Sequence, residues 1–272
     1  MSMKAWGLPV DVILRELAAN AAMGVPAIRR RRLKVPRTSA ASITLEARKI
    51  VAEFEFFVGS TGPLDGKTVV EIGPGDALGL APLFLSEGAE RYVAVDRFLG
   101  NVWGERAVRL YAELAQIKGR HLGDWADRVE LLNFSIEQAR GRLPKADVLL
   151  SFDVLEHLTD LPSAVRNMAA ILKPDGAMFH RVDYGPHGVW LSANDYLSFL
   201  RVPSWVWIAM GSNRGYPNRT RHHELVRLLE GAGLQVCSRI TRSVDGDVMD
   251  AEVACASGQV PRLGRQFVDP KV

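Results

Sequence analysis

The sequence predicts a doubly wound α/β fold, in which a mostly parallel sheet carries helices on both faces. Apolar runs rich in β-branched residues at 69–72, 91–95 and 146–152 predict buried parallel strands. The first and third runs lead through turns into helical patterns, and this alternation builds parallel sheets. A length of 272 residues with 47% apolar content suits one large globular domain.

The turn after the first strand is rich in glycine, and its sequence is VVEIGPGDALGL at 69–80. Gly73 and Gly75 permit backbone angles and close approaches that a Cβ atom would block. The helix that follows presents free N–H groups, which favour an anionic or carboxylate end of a ligand. Leu78 stands at the third glycine position of the dinucleotide fingerprint G-x-G-x-x-G, so that fingerprint fails. The Glu71 carboxylate would instead suit a cofactor that carries an ammonium or sulfonium charge.

A second acidic residue, Asp96, ends the next strand. It lies 23 residues after Gly73, close to the roughly 20 expected for an acid that hydrogen-bonds ribose hydroxyls. The alternative is an Asp that caps a loop, since Asp is common at such positions. The spacing favours the ribose role.

The pattern E-x-G-x-G at 71–75 resembles motif I of the class I S-adenosylmethionine (SAM) dependent methyltransferases, although Ala77 stands where that family often has a third glycine. The segments FDVLEHL at 152–158 and LKPDG at 172–176 resemble later segments of the same family. The resemblance covers about residues 64–183. It resumes with a helix and two strands, at 222–231, 234–241 and 250–256. It implies a Rossmann-like sheet of seven strands, mostly parallel, whose last two strands form an antiparallel edge.

The resemblance implies SAM as the cofactor and a methyltransferase as the function. It assigns the cofactor contacts to Glu71, Gly73, Gly75, Asp96, Ser135, Ile136 and Ser151. The expected target is an oxygen atom of a small-molecule, saccharide or specialised-metabolite acceptor. The alternatives are a quinone or lipid methyltransferase at the membrane surface, an RNA methyltransferase and a SAM-binding module without catalysis.

Candidate catalytic groups lie just after the strands at 146–152 and 177–183, where the acceptor should meet the cofactor. Transfer to a hydroxyl requires a group that removes its proton. We predict His157, Asp183 and His187 as the catalytic residues. A structural role for His157, in which it caps or packs its own turn, is the alternative.

Metal-assisted chemistry is a further alternative at the same turn. If the turn is helical, Asp153 shares a face with Glu156 and His157. A downstream histidine would complete a site for a divalent cation, and the candidates are His187, His222 and His223. The segment is similar to metal-assisted small-RNA and quinone methyltransferases, but it has Asp where they have Glu. We therefore assign no metal ligands.

The first 50 residues are strongly basic, with ten Lys and Arg against three Asp and Glu. Helical spacing predicts an amphipathic helix over 10–23, whose apolar stripe comprises Val10, Ile13, Leu14, Leu17, Ala18 and Ala21. A basic run follows at 29–34. Together they predict peripheral contact of residues 10–37 with an anionic membrane, with a solvated face as the alternative. No aromatic residues interleave the arginines, which argues against nucleic acid as a partner.

The predicted domain organisation has three parts. They are an N-terminal helical, basic extension (1–50), the SAM-binding methyltransferase domain (51–260) and a tail (261–272). Within the domain, residues 184–220 are rich in aromatic side chains and predict a substrate cap. Aromatic faces suit sugar rings, flat aromatic molecules and lipid tails, so the expected partner is a small-molecule or lipid-linked substrate.

Cysteine content and hydropathy bear on the cellular location. The sequence has two cysteines, Cys237 and Cys255, which argues against a disulfide framework or a zinc cluster. No apolar run reaches the roughly 18–20 residues that a membrane-spanning helix needs. The expected location is the reducing cytoplasm, with the basic segment peripheral at the membrane.

Overall fold

The computed structural model describes residues 4–6, 8–28, 40–187, 197–213, 215–244 and 246–257. In chain order its elements are β1 (Lys4–Ala5), β2 (Leu8–Pro9), α1 (Val10–Met23), α2 (Ala40–Thr61), β3 (Thr68–Ile72), α3 (Ala81–Ser86), β4 (Arg91–Val95), α4 (Glu105–Lys118), β5 (Val129–Leu132), β6 (Ala146–Phe152), α5 (Leu161–Ile171), β7 (Leu172–Asp183), α6 (Ser204–Gly211), α7 (His222–Gly231), β8 (Gln235–Val244) and β9 (Asp247–Ala256). The central sheet has seven strands in the order β5-β4-β3-β6-β7-β9-β8. Its first five strands pair in parallel, and β9 runs antiparallel to both β7 and β8. This confirms the predicted doubly wound, mostly parallel sheet.

Three strands extend beyond their predicted bounds. β7 begins at Leu172, which pairs with Ala146 before a register irregularity that precedes Val148. The strands predicted at 234–241 and 250–256 form a longer antiparallel hairpin, because their pairing continues as far as Val244 and Asp247. Such pairing satisfies backbone groups that a loop would leave to water.

Helices cover both faces of the sheet. α2, α3 and α4 pack on one face, and α5 and α7 pack on the other. The buried side chains of α2 recur every three or four residues, and they are Ile43, Ala47, Val51, Phe54 and Phe57. This stripe runs without interruption through the boundary predicted between residues 50 and 51, so α2 joins the core on both sides of it.

A third cluster, here called the cap, comprises α1 with the β1–β2 hairpin before it and the described residues of 197–221, which include α6. Its apolar core contains Leu8, Ile13, Phe199, Val206, Trp207 and Met210. Asn20 joins the two parts, because its Nδ2 donates to the Ala209 carbonyl and its Oδ1 accepts from the Asn213 N–H, both at 2.8 Å. Residues 188–196 and 214 of the predicted substrate cap, the basic run at 29–34 and the predicted tail lie outside the described residues.

The buried stripe of α1 differs from the predicted apolar stripe. Ile13 is buried as predicted, but Leu14, Ala18 and Ala21 are exposed. Glu16 and Asn20 are buried instead, and they bond to Tyr216 and to the end of α6. Polar partners in the cap therefore decide which face of α1 packs. Within the described part of the chain, no helix combines the length and the apolar character needed to cross a bilayer.

Candidate functional site

The glycine-rich turn lies at the carboxyl end of β3, beside the turn that follows β6. Gly73 and Gly75 have φ angles of +72° and +74°, which side-chain-bearing residues rarely adopt. A Cβ on Gly73 would lie 2.4 Å from Cγ2 of Val154, whereas a Cβ on Gly75 would meet nothing within 4 Å. The backbone therefore packs tightly against the β6 turn at Gly73 and leaves open space at Gly75.

Asp96 lies next to this turn, as the spacing predicts. Its Oδ2 accepts a hydrogen bond from the Gly75 N–H at 3.1 Å, and its Oδ1 accepts from the Phe98 N–H at 2.7 Å. Parallel pairing of β3 with β4 produces this proximity, since it aligns Ile72 with Val95 at the ends of both strands. The structure thus brings Gly75 and Asp96 together at one edge of the sheet.

Glu71 is buried beneath the same edge. Its Oε2 accepts a hydrogen bond from the Tyr92 hydroxyl at 2.6 Å. Burial raises the pKa of Glu71 to about 7, and the nearby charges of Glu53 and Asp96 raise it further than the Tyr92 hydrogen bond lowers it. A cationic group placed near these acids would restore the charged form of Glu71, so the edge suits a cofactor with a positive charge.

The other three predicted cofactor residues have side chains engaged within the protein. Ser151 is fully buried, and its hydroxyl lies 2.7 Å from Nδ1 of His180. Ser135 caps the short 3₁₀ turn Ile136–Gln138, and Ile136 packs into the core. A cofactor contact by these residues would have to come from Ser135 or from backbone groups, and the assignments stay predictions.

The three predicted catalytic residues meet at the carboxyl ends of β6 and β7. His187 Nε2 lies 3.1 Å from Asp183 Oδ2, and the rings of His187 and His157 are in edge contact with centroids 5.0 Å apart. His187 and Asp153 both have positive φ angles, of +48° and +52°. Strained backbone of this kind often accompanies functional sites.

Charges around this cluster separate the behaviour of the two histidines. The hydrogen bond with Asp183 raises the pKa of His187, against the effect of its partial burial. Partial burial and the charge of His187 lower the pKa of His157, which still exposes part of its ring. Burial opposes ionisation of Asp183, but hydrogen bonds from His187 and Gly185 outweigh it and bring its pKa to about 2. Asp183 is therefore an anion at neutral pH, and His157 is neutral.

Glu156 forms the buried floor of the cluster. Burial raises its pKa to about 8, and its Oε2 has no hydrogen-bond partner within the described residues. Ligand atoms of Glu156, His157 and His187 all lie within 4.8 Å of one another, a spacing compatible with a divalent cation. His222 contacts Tyr184 and Ser238 instead.

The helical arrangement considered for Asp153, Glu156 and His157 is wrong. A 3₁₀ turn covers Leu155–His157, and the positive φ of Asp153 turns that residue away from it. The Asp153 carboxylate instead accepts two hydrogen bonds from Arg181, at 2.9 and 2.6 Å, and Arg181 also contacts Glu53 of α2.

Sequence reasoning missed the residues that hold the β6 turn in place. Asn218 of the cap donates from Nδ2 to the carbonyls of Leu155 at 2.9 Å and Leu158 at 3.0 Å. The Gly215 backbone bonds to the His157 side chain. Arg181 had one signal in the sequence, a charged residue within an otherwise buried strand. The cap contacts had none.

The strand order, the glycine turn after β3 and the acid that ends β4 together define the class of Rossmann-like SAM-dependent methyltransferases. The chain belongs to the methyltransferase-domain family, whose model matches residues 44–239. It is accordingly an enzyme that uses SAM as its methyl donor. The open space at Gly75 and the acids Glu71 and Asp96 fit a cationic, ribose-bearing cofactor.

Three known proteins illustrate the relationship. The ubiquinone biosynthesis O-methyltransferase of Ralstonia nicotianae is 32% identical over 124 residues, and the match spans 45% of this chain and 46% of that protein, less than half of its length. The solved magnesium protoporphyrin IX methyltransferase of Synechocystis PCC 6803 is 12% identical, with a TM-score of 0.48 over 88% of this chain and 98% of that one. The 1,6-didemethyltoxoflavin-N1-methyltransferase of Burkholderia thailandensis is 19% identical, with a TM-score of 0.48 over 89% and 88%.

Proposed function

We propose that the enzyme methylates a hydroxyl oxygen of a small-molecule acceptor and that His187, held by Asp183, accepts the hydroxyl proton. The contact between His187 and Asp183 at the carboxyl end of β7 carries this proposal. A carboxylate that fixes one imidazole nitrogen leaves the other free to act as a base, the arrangement used by many hydrolases.

The charges of the site support this division of roles. Bound SAM supplies an electrophilic methyl group, and the hydroxyl must lose its proton as the new bond forms. His187 Nδ1 takes that proton, because Nε2 already faces Asp183. The ionised Asp183 then stabilises the imidazolium, and the neutral His157 beside it adds no opposing charge.

The acceptor class follows from weaker support. The relative from Ralstonia nicotianae is named as an O-methyltransferase, which agrees with oxygen as the target. The described aromatic residues of the cap, among them Phe199, Trp205 and Trp207, suit a saccharide, a specialised metabolite or a flat phenolic ring. We expect the acceptor to be one of these rather than a macromolecule.

Methyl transfer from isotope-labelled SAM into an extract of the source cells, divided into aqueous, organic and macromolecular fractions, tests the proposal. We expect label in an aqueous or organic product whose spectrum shows an O-methyl group. Label in RNA, an N-methyl product, or no label despite bound SAM would overturn it.

Two further arms sharpen this experiment. The rate should fall as the solution is acidified through the pKa of His187, because the protonated ring cannot accept a proton. A chelator should leave the rate unchanged, whereas chelator-sensitive activity restored by a divalent cation would assign Glu156, His157 and His187 to a metal in place of the base.

A further inference from the structure

The cap concentrates exposed apolar side chains. Of the twelve large hydrophobic residues that are exposed in the described part of the chain, six lie in the cap and the residues that follow α1, namely Trp6, Leu14, Val25, Ile28, Trp205 and Ile208. The cap has its own core, so these side chains are surplus to its packing. Clusters of exposed apolar residues of this kind mark interaction surfaces.

The outward face of α6 is the most apolar part of this surface. Trp205 and Ile208 lie one helical turn apart and are 71% and 61% exposed, while Val206, Trp207 and Met210 face the cap core. The sequence of α6, SWVWIAMG, contains no charged residue. A surface helix in contact with water would ordinarily carry charges on its outer face, so this face requires an apolar partner.

The charge of the adjoining chain identifies the partner. The apolar residues Val25 and Ile28 precede the run Arg29-Arg30-Arg31-Arg32-Leu33-Lys34 directly in the sequence. Among the described cap residues, Lys4, Arg15 and Arg201 are exposed, and Asp11 is the one exposed acid. Apolar side chains next to a cationic cluster complement the acyl boundary and headgroups of an anionic bilayer.

We infer that the cap docks on the surface of anionic lipid membranes, with Trp205 and Ile208 entering the interface and the arginines at 29–32 contacting the headgroups. The docked enzyme lies on the membrane and does not span it, since no described helix could cross a bilayer. Asn218 bonds the cap to the β6 turn, so docking would place the acceptor side of the catalytic cluster near the lipid surface.

Vesicle co-sedimentation of the full chain tests this inference. Vesicles of phosphatidylcholine, with and without phosphatidylglycerol, are compared at low and high salt. We expect binding to the anionic vesicles that weakens with salt. The variant W205S/I208S should bind at least about tenfold more weakly, since each side chain loses its buried apolar area.

The control variants separate docking from damage. V108S/L131S removes two exposed apolar side chains outside the cap and should bind as the native protein does. R29Q/R30Q/R31Q/R32Q should weaken binding by roughly fivefold per arginine and remove most of the salt dependence. All variants should bind SAM with native affinity, which shows that they are folded.

Three outcomes would overturn the inference. One is equal binding to both kinds of vesicle, and another is unchanged binding by W205S/I208S. The third is a native dimer in analytical ultracentrifugation that W205S/I208S converts to a monomer, which would assign the α6 face to a second copy of the chain. Because vesicle binding is measured without turnover, it stands or falls independently of the proposed acceptor chemistry.

Discussion

The two halves of the sheet's carboxyl edge are built in different ways. The cofactor half, at the ends of β3 and β4, draws Glu71, Gly73, Gly75 and Asp96 from one continuous stretch of adjacent parallel strands. The acceptor half, at the ends of β6 and β7, is assembled from the β6 turn, the end of β7, the cap and α2.

The two halves also handle charge differently. Glu71 lies buried near other acids, and its pKa rises towards neutrality. Near β7, Asp183 and Asp153 are paired with His187 and Arg181, and they remain anions at neutral pH. The difference teaches that the cofactor half is prepared for a cation that a ligand brings, whereas the acceptor half already contains its own ion pairs. Substitutions in the first half should alter binding, and those in the second should alter rate.

The largest effect is expected from H187Q in the acceptor half. The rate of methyl transfer should fall by about 10²–10⁴-fold, because a proton acceptor is lost, and the dissociation constant for SAM should not change. Single-turnover rates and calorimetric titration measure the two quantities, with H223Q, at an exposed position in α7, as the matched control. A loss of SAM affinity in H187Q, or a native rate, would break the separation between the halves.

The next effect is expected from E71Q in the cofactor half, and it has two opposite signs. The raised pKa of Glu71 means that the folded protein holds this proton more tightly than the unfolded chain does. Stability is therefore full below about pH 4.5 and is lost as the pH rises through about 7. The glutamine keeps an acceptor for Tyr92 without a charge, so E71Q should gain about 3 kcal/mol of unfolding free energy above neutral pH.

E71Q should also bind SAM more weakly, because it cannot supply a negative charge. Denaturant unfolding at several pH values and calorimetric titration measure the two changes. If E71Q is less stable than the native protein above neutral pH, burial of the carboxylate is not costly and the interpretation of this half fails.

A smaller effect is expected from D96A. The carboxylate bonds to the Gly75 and Phe98 N–H groups and is the predicted ribose ligand, so its removal should weaken SAM binding by about 10–100-fold. The rate at saturating SAM should stay near the native value. D96N keeps one acceptor oxygen and should lie between the two proteins. Unchanged SAM affinity in D96A would refute the assignment.

The smallest effect is expected from N20A in the cap. This change removes hydrogen bonds from α1 to Ala209, Ser212 and Asn213, and it should loosen the cap by about 1–3 kcal/mol. Hydrogen exchange in α6 should accelerate, while SAM binding stays native. A21S, on the exposed face of α1, is the control. Unchanged exchange in N20A would show that the apolar core alone holds the cap.

The cofactor half was predictable because its contacts are local. A glycine turn after one strand and an acid at the end of the next must meet when those strands pair in parallel, so Gly75 and Asp96 could be placed together. Ser151 shows the limit of this reasoning. β6 is apolar throughout its length and lacks the alternation that reveals side-chain direction, so the sequence does not show that Ser151 points to His180.

The acceptor half was predictable only in part. The positions of His157, Asp183 and His187 after their strands indicated one edge of the sheet, and the structure brings the three together. The sequence did not indicate that Asp153 would leave its turn, because a positive φ in a non-glycine residue has no reliable sequence signal. The pairing of Arg181 with Glu53 joins residues 128 positions apart, beyond the reach of any periodicity.

By itself the sequence determined the α/β class, the parallel order of elements and the cofactor edge, since strand and helix periods and short-range spacing fix these features. The tertiary structure alone decided which face of α1 is buried, which groups hold the β6 turn and which apolar side chains remain outside the cores. The physical reason is that a period specifies a face but not its partner. Partners such as Asn20 and Asn213, separated by 193 positions, become neighbours only when the whole chain packs.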